Sequence, residues 1–270
     1  MIWAISFFVL SLAGAVLLPL GCGFSLWWGI LIFLGLEILI HLLFVLAHWV
    51  FCLRGRDRET PLEKQSPVGR IGAKRAGDLV CAYGGVRPQV SGKEKLPQTP
   101  FLLVCNHRSL FDPMTIMKEL SDCNIAFVSK PSNLRIPMVG DIAYTAGYLA
   151  INRENDREAL KTILQAADYL KRGVCSIGIF PEGTRTRTGK LQDFHAGSFK
   201  IAQRGNAPVV VAAIQGSEKV GRNFPFRRTV VNLDILEVIP AEKVKAMSTQ
   251  ELSACCRNRI AGHLGEEVEE

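Results

Sequence analysis

Two short segments of the chain hold the residue types from which a reactive site can be built. The first is Asn106-His107-Arg108-Ser109-Leu110-Phe111-Asp112. It offers an imidazole, a group that titrates near neutrality and so suits proton transfer, and a carboxylate able to fix its tautomer. The second, Phe180-Pro181-Glu182-Gly183-Thr184-Arg185, joins an acid, a permanent cation and the backbone amides of a turn. A base beside an anion clamp can make a hydroxyl attack an acyl donor while a phosphate-bearing acceptor is held in place.

Spacing limits how these groups can meet. Five residues separate His107 from Asp112, about 140° around a helix, so a turn has to bring them together. Pro113 disfavours helical geometry at Asp112 and suits the first position of a helix running through Leu120. Asp112 can also be read as no more than the N-cap of that helix. No Gly-x-Ser-x-Gly elbow occurs, so a covalent serine route has no evident nucleophile. Cys105, two residues before His107, reads as packing at the end of an apolar strand.

In this order, and behind an apolar N-terminus, the two segments resemble the glycerolipid acyltransferases, most closely the 1-acylglycerol-3-phosphate acyltransferases. The resemblance covers roughly residues 80–240. It implies that His107 is the general base and Asp112 its orienting partner. It also implies that Glu182, Gly183, Thr184 and Arg185 shape the acceptor site with Asn106, and that backbone amides near Gly183 meet the oxyanion. A third family block is matched by Gly147-Tyr148-Leu149-Ala150-Ile151-Asn152-Arg153, with Arg153 as a second phosphate contact, since a guanidinium forks onto phosphate oxygens. The chain departs from the family pattern at Ala150, at Val211 where a proline is usual, and at His195, which stands before Ala196-Gly197 where a lysine is common. The reaction implied is transfer of a fatty acyl group from acyl-CoA or acyl carrier protein to lysophosphatidic acid, giving phosphatidic acid, with no metal or redox cofactor. Alternatives are another acceptor (glycerol 3-phosphate, another lysophospholipid or a lyso-aminolipid), a membrane-tethered thioesterase, or an anionic-lipid or nucleic-acid binder.

The elements that must position these residues follow from hydrophobic pattern. Apolar strand-like runs occur at 101–105, 124–129, 147–151, 174–180, 208–214 and 229–239, and residues 156–171 repeat apolar side chains at helical spacing up to Gly173. Alternation of strands and helices predicts an α/β fold with a largely parallel or mixed sheet flanked by helices, its chemistry in loops at strand C-terminal ends. Residues 54–80 read as a basic connector, 81–240 as the catalytic domain, and 241–270 as a C-terminal helix and acidic tail.

Residues 1–53 read as a membrane helical hairpin broken near Pro19–Gly23. Each apolar run is close to the roughly 20 helical residues a bilayer core requires. Trp28 precedes Trp49 by about 32 Å of helix, matching two aromatic belts. Arg54, Arg56 and Arg58 then place that end, and the catalytic domain, on the cytoplasmic face of the membrane. No positive charge precedes the first run, which argues against a cleaved signal. Glu37, His41 and His48 fall within about 40° of one another on a helix and read as a polar seam against the first helix.

All 32 lysines and arginines follow residue 53, against 24 acids there, and such a surplus suits anionic lipids in a bilayer or a phosphorylated substrate. No aromatic-and-basic strand platform supports nucleic acid. The eight cysteines show no Cys-x-x-Cys spacing, which points away from metal and toward reduced, buried thiols.

Overall fold

The computed structural model of the chain describes residues 2–23, 26–53, 62–186 and 189–266. Arg54, Arg56 and Arg58, on which the orientation reading rests, lie outside them. So do Arg187, Thr188, Glu267, Glu269, Glu270 and the side chain of His48. The chain divides into two compact units, 1–55 and 56–270.

The first unit is a pair of apolar helices, α1 (Ile2–Cys22) and α2 (Leu26–Leu53). Helix α1 continues through Pro19 and ends at Cys22, within the break expected at Pro19–Gly23. The helices meet through aromatic edges: Phe7 packs against the rings of His41 and Phe44 at centroid distances of 5.4 and 5.5 Å, and Phe8 against Phe33. His41 Nδ1 donates to the Glu37 carbonyl at 2.7 Å, which satisfies part of the polar seam within its own helix. Within α2, the 21 residues Trp27–Ala47 are long and apolar enough to cross a membrane by length and composition; the apolar stretch Ser6–Cys22 of α1 is shorter.

The second unit opens with α3 (Pro67–Tyr83) and β1 (Val86–Ser91), followed by β2 (Leu102–Cys105), α4 (Phe111–Glu119) and β3 (Ile125–Ser129). Short helices α5 (Pro131–Leu134) and α6 (Val139–Thr145) lead to β4 (Leu149–Ala150), α7 (Asp156–Lys171) and β5 (Ser176–Ile179). Then come α8 (Lys200–Gly205), β6 (Val209–Gln215), α9 (Val220–Asn223), β7 (Thr229–Ile239), α10 (Ala241–Ala246) and α11 (Thr249–Leu264). The seven strands form a mixed sheet in the order β1-β7-β6-β2-β5-β3-β4, with only the β6–β7 pair antiparallel. The central strands β2 and β5 are buried along their whole length, as near-continuous apolar runs in a sheet covered on both faces should be.

This topology fixes which loops share an edge. The C-terminal ends of β2, β3, β4, β5 and β6 lie along one side of the sheet. Because β7 runs against β6 and β1 runs with β7, the N-terminal ends of β7 and β1 lie along that side too.

Two features differ from the sequence reading. The expected connector at 54–80 contains most of α3, which starts at a Ser66 cap with Pro67 in its first turn. Its interior glycines allow close packing rather than breaking the helix: a Cβ at Gly77 would stand 2.8 Å from the Met114 carbonyl of α4, and one at Gly69 only 2.4 Å from the backbone beyond Thr145 of α6. Strand β1 was not anticipated. It carries Pro88 and alternates exposed with half-buried residues, as an edge strand does.

Candidate active site

His107 leaves the C-terminal end of β2 and is held from three directions. Its ring stacks on Phe180 at 4.2 Å between centroids and 20° between planes, and Phe180 stacks in turn on Phe127 at 5.5 Å. Its Nδ1 lies 2.8 Å from Asp112 Oδ2. A carboxylate only accepts, so Nδ1 carries the proton and Nε2 is left as the basic nitrogen. The imidazole is 17% exposed and Asp112 is fully buried, so the pair is anchored from inside and reached from outside.

Asp112 is not the N-cap that its neighbour Pro113 suggests. It occupies the first turn of α4, while Leu110 sits at the cap position. One oxygen, Oδ2, accepts from the backbone amides of Arg108 at 2.6 Å and Ser109 at 2.7 Å as well as from His107. Those bonds close the turn that a five-residue spacing demands. The other oxygen, Oδ1, is buried with no hydrogen-bond partner.

Glu182 and Asn106, placed at the substrate by the family resemblance, are engaged by the protein itself. Glu182 is buried; Oε1 accepts from the His107 amide at 2.5 Å and Oε2 from the Gln192 amide at 3.0 Å. Burial raises its carboxyl above the ordinary value, opposed by the amides of Gln192 and His107. The Thr186 amide returns the connection by donating to the His107 carbonyl at 3.0 Å. Asn106 is 1% exposed and both its amide atoms pair with Ile214, Nδ2 to the carbonyl at 3.0 Å and Oδ1 from the amide at 2.8 Å. It extends the β2–β6 ladder past the last strand residue. The polar atoms of both side chains bond backbone groups of the protein.

The turn at Gly183 gathers Arg153 and His195. Gly183 has φ +77°, and a Cβ there would stand 2.7 Å from Arg153 Nη1 and 3.0 Å from His195 Nε2. Arg153, beyond β4, and His195, which follows the second loop, therefore converge on one glycine. His195 is brought there by its amide, which donates to the Pro181 carbonyl at 2.9 Å. Arg153 is exposed as a whole residue, yet partial burial lowers its pKa; that of an arginine starts so high that it stays a cation at neutral pH. The Gly183 amide donates to the Phe180 carbonyl at 3.0 Å and closes the turn. Thr184 and Arg185 are exposed on the loop that follows.

Cys105 is excluded as a rival nucleophile by its surroundings. It is completely buried, and burial together with the nearby Asp112 and Glu182 charges holds its thiol well above the usual range.

Two contributors were given no role by the sequence reading. Phe180 opens the second segment, and it carries the imidazole on its ring. Glu266, just beyond α11, bonds Arg108 Nη2 at 3.0 Å through Oε1 and the Leu191 amide at 2.6 Å through Oε2. Nothing local in the sequence signals that contact.

A histidine–aspartate pair thus stands at the end of one strand, with a turn lined by Arg153 and His195 at the end of its neighbour. Residues 87–215 match the model of the family described as Acyltransferase. It is 29% identical over 66% of its length to a 1-acyl-sn-glycerol-3-phosphate acyltransferase of Chlamydomonas reinhardtii, covering 53% of that protein. It is 27% identical over 67% of its length to the protein of the same description from Borreliella burgdorferi, covering 72% of it. In fold it is similar to the crystal structure of the 1-acyl-sn-glycerophosphate (LPA) acyltransferase PlsC from Thermotoga maritima, with a TM-score of 0.59 and 23% identity, over 86% of this chain and 95% of that one. The chain thus spans about half of the algal relative and under two thirds of a Caenorhabditis elegans relative, of which it covers 64%.

Proposed function

We propose that the protein is a membrane-bound enzyme that transfers a fatty acyl group from a thioester to the sn-2 hydroxyl of 1-acylglycerol 3-phosphate, lysophosphatidic acid, to give phosphatidic acid. The donor is acyl-CoA or acyl carrier protein. The observation that carries this reading is the meeting of Arg153 and His195 at Gly183, in a loop bonded directly to the backbone of His107. It sets an anion-binding corner beside a base, which suits an acceptor bearing both a phosphate and a hydroxyl.

In this reading His107 Nε2 takes the proton of the acceptor hydroxyl as its oxygen attacks the thioester carbonyl. Asp112 holds the Nδ1 proton and stabilises the imidazolium so formed. Collapse of the tetrahedral intermediate breaks the carbon–sulfur bond, and the imidazolium returns the proton to the departing thiolate. Arg153, His195 and Arg185 hold the phosphate dianion, Arg153 through its planar fork. Glu182 and Asn106 act on the backbone that carries these groups. The catalytic unit faces the cytoplasm, where thioester donors are made.

The experiment is an assay of the purified full-length protein in lipid vesicles with labelled acyl donor, with and without lysophosphatidic acid. Label passing into phosphatidic acid is the expected result. Release of free fatty acid at the same rate with and without acceptor overturns the reading in favour of a thioesterase. Faster transfer to glycerol 3-phosphate or another lysophospholipid overturns the choice of acceptor.

A further inference from the structure

Among the described residues of the second unit, the loop between α9 and β7 presents a continuous aromatic and basic surface. Phe224-Pro225-Phe226-Arg227-Arg228 are all exposed in succession, and Phe226 is 93% exposed. A soluble surface does not leave two phenylalanines uncovered two residues apart without a use for them. Tyr83, at the end of α3, is 77% exposed, and it joins the same surface. The glycines that follow it mark the contact: the Cβ direction of Gly85 points at the Arg227 carbonyl and Arg228 Cα, 3.6 and 3.7 Å away, and the Thr229 amide donates to the Gly85 carbonyl at 2.8 Å. Val230, also exposed, pairs across the sheet with exposed Arg87.

The charge around this apolar centre is one-sided. From residue 216 to 230 the chain carries Lys219, Arg222, Arg227 and Arg228 against the single acid Glu218. The surface also lies on the catalytic edge of the sheet, because the N-terminal ends of β7 and β1 share that edge with the end of β2. Phe111, in the first turn of the helix that holds Asp112, has its ring against Gly84, and its neighbour Leu110 is 63% exposed. Aromatic tips ringed by arginines, on the same side as the base, are the composition of an interfacial membrane contact.

We propose that Phe224, Phe226 and Tyr83, with Arg222, Arg227 and Arg228, form a docking face of the catalytic unit for a bilayer carrying anionic headgroups. The aromatic side chains enter the headgroup layer and the arginines bind lipid phosphates. This contact is separate from the apolar helices α1 and α2, and sets the His107 edge against the plane in which a lipid acceptor presents its headgroup. The docking itself does not depend on the reaction; its effect on turnover rests on the proposed lysophospholipid acceptor. The same surface has the charge to receive an acidic carrier protein, but two uncovered phenylalanines and a tyrosine favour lipid.

The test uses the full-length protein in vesicles of phosphatidylcholine with or without phosphatidylglycerol. In the variant Phe226→Trp, emission above that of the unchanged protein reports the added indole. Lipids with brominated acyl chains are expected to quench it in anionic vesicles, and less so once Arg222, Arg227 and Arg228 are replaced by glutamine. An added indole that stays unquenched in anionic vesicles overturns the proposal. Turnover gives a second arm. Phe224→Ser with Phe226→Ser is expected to raise the apparent KM for bilayer-embedded acceptor about fivefold or more, and to leave turnover of a water-soluble short-chain acceptor unchanged. An equal loss on both acceptors shows that the loop supports the site rather than the membrane contact, and overturns it. A loss confined to reactions with acyl carrier protein, and absent with acyl-CoA, assigns the face to the carrier and overturns it as well. If neither acceptor is turned over by the unchanged protein, the proposed reaction fails, while quenching still decides the docking face.

Discussion

Glu266 lies 3.0 Å from Arg108, so a residue at the end of the chain holds the side chain next to the candidate base. Through its other oxygen the same carboxylate holds the Leu191 amide, in the loop that follows Glu182 and precedes His195. It therefore links the two loops that carry the site. Both partners are mostly buried, Arg108 at 15% and Glu266 at 23% exposure, which makes this pair more than a solvated surface contact. Glu266→Ala should lower kcat about tenfold with little change in either KM, because misplacing a base costs rate more than affinity. Glu266→Gln keeps an acceptor for Leu191 and should recover part of the loss. Arg108→Ala combined with Glu266→Ala should fall well short of additive. Unchanged kcat in Glu266→Ala would remove the positioning role.

Asp112→Asn separates the chemistry of the pair from its architecture. The amide oxygen can take the place of Oδ2 and keep the bonds from Arg108 and Ser109. Its NH₂ group then lies where Oδ1 has no partner, at a cost of about 1–3 kcal/mol for a buried unsatisfied donor. The variant should therefore fold, with a modestly lower melting temperature. Its turnover should drop because a neutral amide no longer stabilises the imidazolium, while His107→Ala, which loses the base itself, should drop by about 10²–10⁴. Turnover within a fewfold of the unchanged protein in either variant would end the mechanism.

The parts of this molecule legible from sequence are those in which chemistry and pattern coincide locally. The apolar runs at 101–105 and 229–239 announce β2 and β7, and the periodicity of 156–171 matches α7 residue for residue. His107 and Asp112 stand close in sequence, so their pairing needs only one turn. Helix α3 was hidden because Gly69, Gly72 and Gly77, with several lysines and arginines, read as a loop, whereas Gly77 serves close approach to α4 and Gly69 to α6. Glu182 and Asn106 have the right types for ligand contact. What they bind is set by which backbone amides and carbonyls the neighbouring strands present, and that depends on tertiary register. Glu266 reaches Arg108 across 158 positions, and no spacing rule spans such a separation.

Gly183 offers a test of the anion corner that leaves the base untouched. Its φ of +77° already disfavours any other residue, and a methyl group there would collide with Arg153 Nη1 and the His195 ring. Gly183→Ala should push both groups outward and raise the KM for the phosphate-bearing acceptor tenfold or more. The KM for the donor should stay within about twofold, since the proposed reading assigns this corner to the acceptor. Arg153→Lys keeps charge but loses the fork, and should move the same constant in the same direction by less. If only the donor constant rises in these variants, the corner binds the phosphates of the donor and the map of the site is reversed.

The buried carboxyl of Glu182 gives a pH signature whose sign is fixed. Burial raises its pKa in the folded state, so the folded protein holds this proton more tightly than the unfolded chain does. Below the ordinary carboxylate range both states are protonated and the group contributes nothing to the pH dependence. As pH rises through the interval between the unfolded and folded values, the unfolded state ionises first and stability declines; above that interval the loss is complete. Glu182→Gln should remove this contribution. The difference in unfolding free energy between the unchanged protein and the variant should therefore shift against the unchanged protein as pH climbs through the mildly acidic range, and level off toward neutrality. The variant also leaves one of the amides of His107 and Gln192 facing an NH₂ group, so turnover should fall even where stability is matched. Chemical denaturation of both proteins across that range measures the difference directly. A difference that is flat in pH, or one that shifts in favour of the unchanged protein as pH climbs, would mean that the backbone amides outweigh burial at this carboxylate.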